Sequence, residues 1–169
     1  MCIRDRYLDP DAAGFAQNVE RLVAETGSPG TFAGYLAALE QRRRYFIEHG
    51  AVSADHGVEV PDTLDLAPEE GEGLFARVVS GDADAGERHS FRAHMLLQMA
   101  RMSVDDGLVM TVHAGVVRNH STQTFRRFGP DSGHDIPRRT DFVGGLRPLL
   151  ERFGLDRDLH LVLFAVDES

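Results

Sequence analysis

His113 closes an apolar run, Leu108-Val109-Met110-Thr111-Val112, and Arg118 follows shortly after it. A histidine delivered by a buried strand can act as a general acid or base, a metal ligand, or a hydrogen-bond donor to a substrate oxygen. An arginine close behind can hold a carboxylate through two parallel hydrogen bonds. The plainer alternatives are a core histidine satisfied by backbone and an arginine spent on a loop-to-loop salt bridge. A third candidate is Asp55. The short run Ala51-Val52-Ser53-Ala54 reads as a strand that delivers Asp55-His56-Gly57. Neighbours on a strand point to opposite faces, so Asp55 and His56 can share a site only if the chain turns, which Gly57 would permit. Otherwise Asp55 caps a loop and His56 lies at the surface. His120 and His134 read as bystanders, and His89 and His94 are poorly spaced for one helical face.

The elements that must position these residues alternate between the two periods. Asp9-Pro10-Asp11 reads as a helix entry before Phe15, Val19, Leu22 and Val23. Gly27-Ser28-Pro29-Gly30 stops that helix. Thr31 caps the next, whose apolar stripe is Phe32, Tyr35, Leu36, Leu39 and Phe46. Arg42-Arg43-Arg44 reads as its solvated face. A helix is expected within Asp62–Val79, a solvated turn at Gly81–Gly86, and a long helix over Glu87–Val104. The Met95, Met99 and Met102 stripe of that helix reads as core. The stretch Val116–Thr140 is a long polar loop. Phe142–Phe153 is an amphipathic helix, and Leu159–Val166 a buried parallel strand. Strands separated by helices imply a parallel α/β sheet with right-handed crossovers. About three parallel strands with flanking helices are legible, whereas a closed eight-stranded barrel takes ~250 residues. The expected architecture is therefore a partial (β/α)8 TIM-type barrel with two open strand edges. Residues 1–6 read as a non-native leader and residues 7–169 as part of a single barrel domain.

Composition narrows the chemistry. All 18 basic residues are arginine, which removes Schiff-base lysine chemistry. The net charge of −9 argues against nucleic acid as a partner. The single cysteine, Cys2, excludes an intrachain disulfide and a cysteine zinc cage, and fits a cytoplasmic setting. No run has the length and apolarity of a membrane-spanning helix. No H-x-H pair, H-E-x-x-H, G-x-S-x-G, Walker loop or G-x-G-x-x-G occurs.

The block MTVHAGVVRNHSTQTFRRFGPDSGHD, with the upstream VSADHG turn and the RRRYFIEHG helix end, resembles the uronate isomerase family. The resemblance covers nearly all of the chain after Tyr7. It implies a metal-dependent-hydrolase-like barrel that interconverts D-glucuronate with D-fructuronate and D-galacturonate with D-tagaturonate through an enediol. It assigns Asp55 and His113 to catalysis and Arg118 to binding the small-molecule hexuronate. It also implies a zinc-like divalent metal in the full-length family. The metal-binding H-x-H pair, the His-Tyr pair after it and the late Asp-Arg pair of that family are absent from these residues, so this polypeptide alone is expected to be inactive. A homo-oligomer is compatible with the resemblance. Two other readings stand beside it: a metal-assisted hydrolase on the same barrel, and a non-catalytic binding module.

Overall fold

Side-chain parity organises the sheet. In the computed structural model, which describes residues 7–130 and 132–166, three strands run parallel: β1 (Ser53–Val58), β2 (Val109–Ala114) and β5 (Leu161–Ala165), in the order β1-β2-β5. Ala54, His56, Met110, Val112 and Ala114 are buried on one face. Asp55, Thr111 and His113 occupy the opposite, partly open face, as period-two alternation requires. Asp55 is paired in register with Thr111, Gly57 with His113, and His113 with Phe164. Among the described residues the outer edges of β1 and β5 pair with no other strand.

Helices cover the buried face. These are α1 (Phe15–Thr26), α2 (Phe32–Glu48), α3 (Pro68–Ser80), α4 (Ala85–Asp106) and α7 (Arg147–Phe153). Thr31 caps α2 by accepting the Gly34 amide at 3.1 Å. Asp84 caps α4 by accepting the Glu87 amide at 2.9 Å, and the Glu87 carboxylate accepts the Asp84 amide in return. Met95, Met99 and Met102 are buried together with Met110 and Val112, so the methionine stripe is core. Two short strands, β3 (Val116–Val117) and β4 (Ile136–Pro137), pair antiparallel beyond β2, with α5 (Thr122–Phe128) between them. A single turn, α6 (Phe142–Gly145), precedes α7.

Several expectations need correction. The first strand begins at Ser53 and continues through Gly57 to Val58, so no turn at Gly57 brings Asp55 and His56 to one side. His56 is buried, not at the surface. Arg43 is fully buried, unlike the solvated arginine run expected: its Nε donates to Asp106 at 2.5 Å and its Nη2 to Ser103 at 2.9 Å. Asp9–Asp11 forms a turn that pairs with Arg92 and Arg88 of α4, and α1 starts later, after Gly14. Leu64 and Leu66 precede α3, which Pro68 opens. The Val116–Thr140 stretch holds β3, α5 and β4, and the Phe142–Phe153 segment is two helices. The last strand is parallel but exposed, with Val162, Leu163 and Phe164 each more than 40% accessible, because it stands at a sheet edge. The proposed leader, residues 1–6, lies outside the described residues.

Candidate active site

Asp55 and His113 meet although 58 positions separate them. Gly57 stands opposite His113 and has no side chain, so the imidazole can lean diagonally across to Asp55. Its Nδ1 lies 2.6 Å from Asp55 Oδ1. A carboxylate only accepts, so Nδ1 carries the proton and donates it to Asp55. The same oxygen accepts the Thr111 hydroxyl at 2.6 Å. On the far side, the His113 ring lies flat on Phe164, with centroids 4.4 Å apart and planes 7° apart. No hydrogen bond among the described residues occupies His113 Nε2. That nitrogen is left to give or take a proton on the open face, at the C-terminal half of parallel strands, where α/β barrels carry chemistry.

His113 and Arg118 both line a cavity of about 470 Å³ at the strand ends, together with Asp62, His89 and Arg92. This volume suits a small molecule. Arg118 is half-exposed; its Nη1 donates to Asp135 at 3.3 Å, and the same carboxylate accepts the Asn119 amide at 2.9 Å. The loop-to-loop ion pair foreseen as the plainer alternative is thus present, and it holds the guanidinium at the cavity wall. Gly115 sets the exit from β2: it has φ +78°, and its carbonyl accepts the Arg138 amide at 2.7 Å. Arg138 also pairs with Glu59, joining the two strand exits.

The remaining histidines divide by environment. His56 points into the helix layer, where burial first and the Arg43 charge second push its pKa down to about 4. His94 is buried against Phe32 and lies below the usual histidine range for the same first reason. His89 contacts Asp62 at 3.0 Å. His120 and His134 meet through the loop, the His120 amide donating to the His134 carbonyl at 3.1 Å, away from Asp55.

Among the described residues, no group of three or more His, Cys, Asp or Glu side chains could hold a metal ion. Asp55 and His113 are bonded to one another. The residues present do not by themselves form the metal site that the resemblance implies. Sequence reading missed Thr111 and Phe164, and also Asp135 as the partner of Arg118. Thr111 was readable in principle, since Thr111-x-His113 spacing puts both side chains on one strand face. Phe164 required the β2–β5 register, which no local pattern provides.

A family model described as glucuronate isomerase matches residues 3–169. The uronate isomerase of Rhizorhabdus wittichii is 56% identical over 166 residues, which make up 98% of this chain and 36% of that protein. That of Rhizobium meliloti is 50% identical over 166 residues, again 98% of this chain and 35% of the relative. The crystal structure of glucuronate isomerase from Caulobacter crescentus superposes with a TM-score of 0.90 at 42% identity, over 97% of this chain and 34% of that one. The Thermotoga maritima uronate isomerase gives 0.87 at 30% identity, over 96% and 36%. The chain thus spans about a third of the length of the curated relatives it matches. Its parallel strands and covering helices are part of the TIM-barrel architecture of these neighbours, and by the family match the chain belongs to the glucuronate isomerase family.

Proposed function

We propose that these residues contribute an acid–base pair and a carboxylate anchor to the aldose–ketose isomerisation of hexuronates, D-glucuronate to D-fructuronate and D-galacturonate to D-tagaturonate. The observation that carries this reading is the 2.6 Å Asp55–His113 hydrogen bond on the open strand face, beside the cavity His113 shares with Arg118. In the open-chain sugar, His113 Nε2 takes the C2 proton, and the electron pair moves to the C1 carbonyl to give an enediol(ate). The proton returns at C1, and the C2 hydroxyl proton passes to the C1 oxygen, which leaves a ketone at C2 and an alcohol at C1. Asp55 steadies the imidazolium formed in between. Arg118 exchanges Asp135 for the C6 carboxylate and sets C2 within reach of the imidazole. Donors for the family's divalent metal would come from outside the described residues. A cytoplasmic setting belongs to this proposal; what is observed is that no described helix is long and apolar enough to cross a membrane.

The test is a chimera in which this chain replaces the matching 166 residues of the Rhizorhabdus wittichii uronate isomerase. A soluble, cooperatively melting chimera should form ketose from glucuronate, and its Asp55→Asn and Arg118→Ala versions should lose that turnover. Turnover indifferent to both substitutions refutes the proposal, as does hydrolysis of uronate amides or lactones without isomerisation.

A further inference from the structure

An imidazole held by one hydrogen bond is not fully oriented. The torsion about its ring bond is broad and roughly two-fold, so the ring can tilt, and it can turn over and exchange Nδ1 for Cδ2. Three contacts restrict it here. The face of Phe164 at 4.4 Å and 7° fixes the ring plane, but a flat partner cannot tell one edge from the other. Asp55 selects the edge by accepting Nδ1–H. The Asp55 carboxylate is a rotor too, and the Thr111 hydroxyl at 2.6 Å on the same oxygen pins it. Thr111 is paired in register with Asp55 and Phe164 with His113, so all four side chains share the open face. Phe164 is nearly half exposed and adds little to the core.

We infer that Thr111 and Phe164 are positioning residues. Thr111 fixes the carboxylate and Phe164 fixes the ring plane, and together they keep the His113 proton on Nδ1 and turn Nε2 toward the open face. Their functional weight rests on the isomerase proposal above; the tautomer they impose does not.

Nitrogen-15 and proton NMR of the 169-residue chain tests this, with the His113 ring signals assigned by their loss in His113→Gln. In the parent chain the neutral ring should be the Nδ1–H tautomer, and its carbon-bound protons should be displaced upfield by the Phe164 ring. Thr111→Val, nearly the same size, leaves the carboxylate free to rotate away from Nδ1–H and should therefore shift the tautomer ratio measurably toward Nε2–H, while the upfield displacement stays in place. Phe164→Leu should abolish the displacement and broaden the ring signals, and Phe164→Tyr should restore both. Unchanged Met110 and Val112 methyl signals establish that the sheet is intact, and Phe164→Met serves if the leucine variant does not fold. An Nε2–H parent tautomer, a ratio unmoved by Thr111→Val, or ring protons unmoved by Phe164→Leu overturns the inference. In the chimera, both substitutions should lower kcat more than they change KM. Tautomer effects with unchanged kcat would leave the positioning roles standing and remove His113 as the acid–base group of the proposed reaction.

Discussion

Replacing His56 with leucine should remove a specific part of the chain's acid sensitivity. The His56 ring is 3% exposed and stays neutral down to about pH 4 in the folded state, because burial and then the nearby Arg43 charge oppose protonation. In the unfolded chain it titrates near ~6.5. Between those values the unfolded state binds a proton that the folded state refuses. Stability from this group is therefore complete above the unfolded pKa and falls as pH drops toward the folded one. Each pH unit inside the window is worth about 1.4 kcal/mol. By pH 4.5 the loss reaches about 2.5 kcal/mol, roughly three-quarters of the window's total of about 3.5. Carboxylates titrate in the same range, so the informative quantity is a difference. Urea unfolding of the parent and His56→Leu at pH 7.5 and pH 4.5 should show the gap between the two proteins shifting by about 2.5 kcal/mol in favour of the leucine variant at the lower pH. A gap that stays constant to within about 0.5 kcal/mol, outside extrapolation error, would refute the argument that His56 is buried neutral beneath β1.

Asp106→Ala strands the fully buried Arg43 charge and should cost about 3–5 kcal/mol in urea unfolding, whereas the double replacement Arg43→Met/Asp106→Leu should come close to the parent. At Gly115, a Cβ would stand 2.0 Å from Thr140 Oγ1 and 2.8 Å from the Arg138 carbonyl at φ +78°. Gly115→Ala should therefore cost more than the ~1–2 kcal/mol of the backbone conformation alone. It should also raise amide exchange at Arg138, whose N–H bonds Gly115. In the chimera, His113→Asn should lower kcat by about 10²–10⁴ with unchanged circular dichroism; a change under tenfold argues against acid–base catalysis by this residue.

The local signals were the readable ones. Thr31 has a side chain that caps, and Gly27 and Gly107 lie where helices stop, so the helix boundaries at those places follow from the residues themselves, whereas Asp84 caps α4 from inside the stretch expected to be a turn, and the helix starts at Ala85 rather than Glu87. The methionine stripe repeats at helical spacing, and its burial followed. Arg43 was misread because its neighbours Arg42 and Arg44 carry the same charge; only the approach of α4, with Ser103 and Asp106, makes one of the three a core residue. Asp9 and Asp11 look like helix-entry acids, yet Arg92 and Arg88 from a distant helix recruit them, with Arg92 and then Arg88 holding the Asp11 carboxyl below its usual range. In both cases a long-range partner overrode a local pattern. The Asp55–His113 contact belongs to the same class, since it depends on the β1–β2 register.

That register is nevertheless hinted at by a violation of pattern. A parallel strand buried on both faces reads as a near-continuous hydrophobic run. Here polar residues interrupt one face, Ser53 and Asp55 on β1 and Thr111 and His113 on β2, beside Val109 and Gly57. The other face keeps Ala54, Met110, Val112 and Ala114, with His56 the single polar member. The packing of the helix layer accounts for the second set. It places no demand on the first, whose polar groups would be a needless desolvation burden in a wall that served only stability. Two adjacent residues of β1 therefore carry opposite roles: Asp55 is satisfied by donors from β2, whereas His56 lies one position on, neutral beneath the sheet. A slip of one residue in the β1–β2 pairing would exchange them, burying the carboxylate and breaking the hydrogen bond to His113 in the same step.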